Sequence, residues 1–168
     1  TNQNLTFRNL SNEIVNTLPP RRTYTAVEIA DRFLQHVAVG HQYLTPDFTQ
    51  GSIFTVEETG SNFYAIRTES GLSRLSIDLE RVQAAYQFLL DNNVGPNNPI
   101  EIRSSDDLDT AGPLCRATRQ GRQRTINYIL PILADMGVVG LNGQTQRNTV
   151  WLAPRNRVTP PHIPGDQY

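Results

Sequence analysis

Arg116, Arg119, Arg122 and Arg124 follow one another at spacings of two or three residues, with Gln123, Asn127 and Tyr128 set among and after them. A guanidinium can give two parallel hydrogen bonds to a phosphate or a guanine edge, and glutamine or asparagine can do the same for adenine. That is the chemistry of polyanion recognition. The spacing predicts a helix over 122–136. Arg122, Gln123, Arg124, Asn127 and Tyr128 then stand at its start, opposite its apolar stripe. The helix end adds partial positive charge and free amides for a phosphate. Arg124 would read bases, while Arg116 and Arg119, on a shorter helix before it, would hold the backbone. A polar hairpin tip at 143–148 carries Gln144 and Arg147, which would lie along phosphates or reach the minor groove. The plain alternatives are a solvated arginine-rich face and an ordinary hairpin turn.

Other groupings carry less chemistry. His36 and His41 are five apart, but no third ligand suggests itself, so zinc is not expected. Asp106, Asp107 and Asp109 could hold a cation, yet a solvated loop or helix cap explains them as well. Glu57 and Glu58 read as an exposed strand edge. Cys115 has no partner base and reads as a small buried side chain. Tyr24, Tyr43, Phe48, Phe54, Phe63 and Tyr64 gather in the first half. They could line a pocket for an extruded base, with core packing as the default. No nucleophile–base pair, carboxylate–lysine nuclease core or phosphate-cradling glycine loop is legible. The chain is therefore read as non-catalytic by itself and without a cofactor.

Charge sharpens this picture. Residues 110–157 hold seven arginines and one acid, Asp135, a net of +6, whereas 1–109 hold eight arginines and fourteen acids, a net of −6. The overall charge of −1 hides two halves of opposite sign. The sequence contains no lysine, which excludes the phosphate-loop lysine and Schiff-base catalysis. One cysteine in 168 residues excludes an internal disulfide and fits a reducing cytoplasm. No run of about 18 apolar residues exists to span a membrane. No basic-then-apolar leader precedes Leu5, so no export signal is read. At 38% hydrophobic the chain can build a core of modest size.

The elements that must position these groups follow from periodicity. Residues 5–18 read as a helix with Leu10, Ile14, Val15 and Leu18 on one face, stopped by Pro19-Pro20. Thr25 and Glu28 form a capping box for a second helix running to about Gly40. Strands are predicted at 52–58 and 62–68 around Thr59-Gly60-Ser61, and a third at 72–77. Asp78 caps a helix to about Leu90. Residues 92–99 (NNVGPNNP) read as a linker, followed by a short strand at 100–103. Ile126, Ile129, Leu130, Leu133 and Met136 make the stripe of the basic helix, which Gly137 ends. Pro131 lies inside it and should kink it or move its start. Val138, Val139 and Leu141 open a strand that Thr149 to Leu152 partner. Residues 154–168 read as an extended proline-rich tail.

The segment CRATRQGRQRTINYILPILADMGVV followed by GLNGQTQRNTVWL resembles a winged-helix domain, over about a quarter of the chain. LTFRNLSNEIVNTLPPRRTYTAVEIADRFLQ resembles the opening of the same fold. The fold class expected is α+β. An acidic lobe of helices and a small antiparallel sheet over 1–91 would precede a basic winged helix over 100–153. The resemblance implies duplex DNA binding, with the second helix in the major groove and the hairpin along the backbone. It fits the target-recognition part of a DNA-processing, restriction-type enzyme, or a transcription or replication regulator. The acidic lobe would meet a catalytic domain or second subunit, or read DNA through a local patch that its net charge conceals. A winged-helix protein–protein interaction module without DNA binding is the alternative.

Overall fold

The computed structural model describes residues 24–46, 51–69, 73–142 and 148–154. The expected first helix at 5–18, the tip residues Gln144 and Arg147, Phe48 and the tail beyond 154 lie outside the described residues. The fold is α+β, as the periodicities indicated.

Helix α1 spans Ala26–His36, and its capping box forms: Glu28 N–H donates to Thr25 Oγ1 at 3.1 Å while Thr25 N–H donates to Glu28 Oε1 at 3.0 Å. It ends at His36, short of Gly40, because Val37 turns extended. An antiparallel sheet follows, made of β1 (Gln42–Leu44), β2 (Ile53–Thr59), β3 (Phe63–Thr68) and β4 (Arg74–Asp78) in that spatial order. Gly60 closes the β2–β3 turn, its N–H donating to the Phe63 carbonyl at 2.9 Å. A bulge between Val56 and Glu58 shifts the register. Glu57 and Glu58 are then paired with Arg67 and Arg74 instead of standing as a bare edge.

Helix α2 (Leu79–Asp91) starts at Asp78, but the Asp78 side chain makes no cap bond. Residues 92–99 are a tight turn with mutual Gly95–Asn98 backbone bonds, not a free linker. Val94 within it is buried, and its carbonyl accepts from Leu152 N–H at 3.4 Å. The second sheet has β5 (Ile100–Glu101), β7 (Thr149–Leu152) and β6 (Val139–Asn142) side by side in that order. Helices α3 (Pro113–Ala117) and α4 (Leu130–Asp135) lie between β5 and β6 in sequence, with a 3-10 turn at Ile126–Tyr128.

The long basic helix over 122–136 is the main correction. Its α-helical part is only Leu130–Asp135, because Pro131 occupies the first turn, and a 3-10 turn at Ile126–Tyr128 precedes it. Proline has no N–H to donate backward and its ring collides with the preceding turn, so a helix can begin there but not run through it. Gly137 ends α4 in the left-handed region (φ 81°), with Val138 N–H donating to the Leu133 carbonyl at 2.9 Å.

The stripe residues Ile126, Ile129, Leu130, Leu133 and Met136 are buried as predicted, but so are Pro131 and Ile132 on the other side. The covering surface comes from the first half of the chain. Phe54 of β2 meets Tyr128 edge-on at 5.2 Å, and the Tyr64 hydroxyl donates to the Tyr128 carbonyl at 2.8 Å. One contiguous apolar core therefore runs from Ile29 to Leu152. Each large side chain in it contributes about 1.5–3 kcal/mol through removal from water.

Candidate nucleic-acid interface

The basic side chains surround one turn and one loop. Helix α3 begins at Gly112 with Pro113 in its first turn, and Thr118 stops it. The buried Thr118 hydroxyl donates to the Leu114 carbonyl at 3.0 Å, and the buried Thr125 hydroxyl donates to the Thr118 carbonyl at 2.6 Å. Between these two threonines the chain reverses. Gln120 and Gln123 exchange backbone hydrogen bonds of 3.0 and 3.1 Å, and Gly121 has φ 64°. That is a two-residue turn with glycine at its first central position and Arg122 at the second.

The turn is held from three further directions. The Gln120 amide lies along the open edge of β4, donating to the Ser76 carbonyl at 2.7 Å and accepting from Asp78 N–H at 2.9 Å. Arg81 of α2 donates to the Arg119 carbonyl at 3.0 Å. Arg119 in turn donates to the Arg122 carbonyl at 2.7 Å. Gly121, Arg122 and Gln123 are exposed at the tip. Among the described residues, the Arg122 guanidinium and the Gln123 side-chain amide have no hydrogen-bond partner.

The other cations grip the loop at 104–111. Arg116 donates to the Ala111 carbonyl at 2.6 Å and more distantly to that of Leu108. Arg119 donates to the carbonyls of Ser105 (3.0 Å) and Asp106 (2.8 Å). Arg124 reaches the Ser104 carbonyl and hydroxyl at 3.4 Å each, and its Nε lies 3.5 Å from the Asp106 carboxylate. The loop is braced internally too: Asp109 N–H donates to Asp107 Oδ1 at 2.9 Å, and Ser105 and Thr110 share a hydroxyl bond of 2.7 Å. Carbonyls are neutral, so the bonds to them leave the guanidinium charges in place. They do fix the side chains.

Of the residues predicted for DNA contact, Arg116, Arg119, Arg122, Gln123 and Arg124 are therefore brought together around one turn. Arg122 and Arg124 do not lie on the reading helix expected for them; Arg116 stands on the shorter helix α3 as expected, and Arg119 just past its end. Arg124 is strapped to Asp106 and Ser104. Asn127 is half-buried in the 3-10 turn, and Tyr128 faces Phe54 and the first sheet. Arg81 and Gln120, which hold the turn, went unnoticed in the sequence. Gln-Gly-Arg-Gln is the signal that marks the turn itself, but nothing marks partners some 40 residues away.

A second polar group lies at the far end of α4. His36 Nε2 is 2.7 Å from Asp135 Oδ2, and the Tyr43 hydroxyl donates to the same oxygen at 3.4 Å. His41 stacks on Tyr43 at 4.7 Å. Burial, with the Asp135 carboxylate adding to it, pushes the Tyr43 phenol up to about 12. The one acid of the basic segment is thus bound to the N-terminal half. Cys115 is buried, its thiol 3.5 Å from the Ser105 carbonyl. Tyr43, Phe54 and Tyr64 pack in or against the core. No helix among the described residues is long and apolar enough to cross a membrane. Comparisons with protein-family models, with curated proteins and with solved structures gave no match for this chain.

Proposed function

We propose that the chain recognises double-stranded DNA, with no catalysis of its own, as the target-recognition part of a restriction-type enzyme or as a regulator. The observation that carries this reading is the braced tip at 120–123, which presents Arg122 and Gln123 unpaired, with Arg116 and Arg119 bonded to neutral carbonyls nearby. A turn whose backbone is already fixed loses little freedom when its tip meets a phosphate or a base edge. The winged-helix reading draws support from the order α2, β5, α3, α4 and the β6–β7 hairpin, with β7 between β5 and β6 in one sheet. The contacts then come from the turn and the hairpin rather than from a long helix.

Binding of fluorescent duplexes by the full chain tests this. Affinity should fall steeply as salt rises from about 50 to 200 mM, because released counterions drive the association. Arg122→Ala should weaken binding about tenfold and leave the melting temperature unchanged. Arg124→Ala should lower the melting temperature by releasing Asp106 and Ser104. Loss of stability without loss of affinity in Arg122→Ala would reject the tip as the contact. Duplex cleavage in the presence of magnesium would overturn the non-catalytic reading.

A protein–protein interaction module is the second reading. It is favoured by the burial of α4, which leaves no helix face for DNA. An apolar partner would bind with little dependence on salt.

A further inference from the structure

Resting on the DNA reading, we infer that this chain reads the minor groove of A·T-rich duplex through Arg122, and does not place a helix in the major groove. Three observations converge on this.

The first is what α4 lacks. Leu130, Pro131, Ile132 and Leu133 are buried, so only Ala134 and Asp135 of this helix reach the surface. Asp135 is an anion already held by His36 and Tyr43, and it would repel a phosphate. A helix about 10–12 Å across needs the major groove, which is about 12 Å wide. No described helix in the basic half offers a cationic face for it: α3 has five residues, and its Arg116 is bonded to Ala111.

The second is the shape of what remains. A two-residue turn has its ends within about 7 Å. Its apex side chain can enter a groove about 6 Å wide that would exclude any helix. Arg122 occupies that apex, flanked by Gln123, whose amide NH₂ matches the acceptor-only floor of an A·T minor groove.

The third is chemistry and rigidity. A-tracts narrow the minor groove and deepen its negative potential, which draws in arginine. Guanidinium sheds water more readily than ammonium, so arginine gains most there. The Arg122 backbone is fixed by the Gln120–Gln123 pair and by Arg119, so the side chain is presented without prior ordering of the loop.

Binding of the full chain to an A-tract duplex and a G·C duplex of equal length, at low salt, tests the inference. Netropsin would serve as minor-groove competitor and methyl green as major-groove competitor. The expected result is preference for the A-tract, displacement by netropsin and indifference to methyl green. Arg122→Ala should reduce A-tract affinity about tenfold or more, to the G·C level. Arg122→Lys should keep most non-specific affinity but lose the A·T preference. Equal affinity for the two duplexes, or displacement by methyl green alone, would overturn the minor-groove assignment and leave duplex binding standing. No binding to either duplex would overturn both.

Discussion

Two tyrosines with the same burial do opposite things. Tyr64 and Tyr86 are both fully buried, but Tyr64 donates to the Tyr128 carbonyl, whereas the Tyr86 hydroxyl has no hydrogen-bond partner among the described residues. A buried hydroxyl without a partner costs free energy that a phenylalanine ring would not. Tyr86→Phe should therefore be neutral or stabilising by up to about 1 kcal/mol. Tyr64→Phe should cost about 1–2 kcal/mol, since it leaves a carbonyl orphaned. Urea denaturation of both variants decides it, and equal losses would mean that the Tyr86 hydroxyl has found a partner. At this scale the sequence was informative about burial and mute about pairing. Aromatic residues predict a core, but the hydrogen bond from residue 64 to residue 128 depends on a fold that brings distant segments together. The arginines teach the same lesson. Their number and spacing were legible; that three of them would spend their hydrogen bonds on the 104–111 loop was not.

Among the elements, the β6–β7 hairpin carries a constraint that can be tested. Gly140 and Trp151 are directly opposed, and a Cβ at Gly140 would come within 2.3 Å of the indole Cε2. The ring lies where a side chain would otherwise be. Gly140→Ala should destabilise by about 1–3 kcal/mol through overpacking. It should also shift the emission of Trp151, the only tryptophan. In a Trp151→Leu background the penalty should shrink; an undiminished penalty would place the cause in the backbone rather than in the ring. Local signals served well for elements of this kind. The capping box at Thr25, the turn at Gly60 and the stop at Gly137 stand where residue chemistry put them, since each is settled within four residues. The basic helix failed because one local signal was outweighed by another. Apolar spacing from Ile126 to Met136 favoured a single helix, and Pro131 confined it to six residues.

Across the whole molecule the three shifted tyrosines couple the fold to pH. Burial, seconded by Asp135, raises Tyr43 to about 12; burial, seconded by Glu28, raises Tyr86 to about 12; burial holds Tyr64 well above its ordinary value of 10.0. The unfolded chain therefore releases these protons first as pH rises. The stability they contribute is complete below pH 10 and is lost between about 10 and 12. The urea midpoint should fall over that window, with phenolate absorbance near 295 nm appearing together with unfolding. A phenolate signal that precedes unfolding would contradict the burial argument. Tyr43→Phe should flatten the slope.

By itself the sequence determined the classes of chemistry open to this protein. It has arginine and no lysine, one cysteine, a charge divide near residue 110, and helices and strands of α+β type. Those follow from composition and from periods of two and 3.6 residues, which are local properties. Tertiary structure decided which cations are free. The first sheet and α1 close over α4, because the apolar surface of both halves is buried most fully in one shared core. That packing removed a helix face from solvent, pinned Arg116, Arg119 and Arg124 to the loop at 104–111, and left Arg122 at the tip of a braced turn.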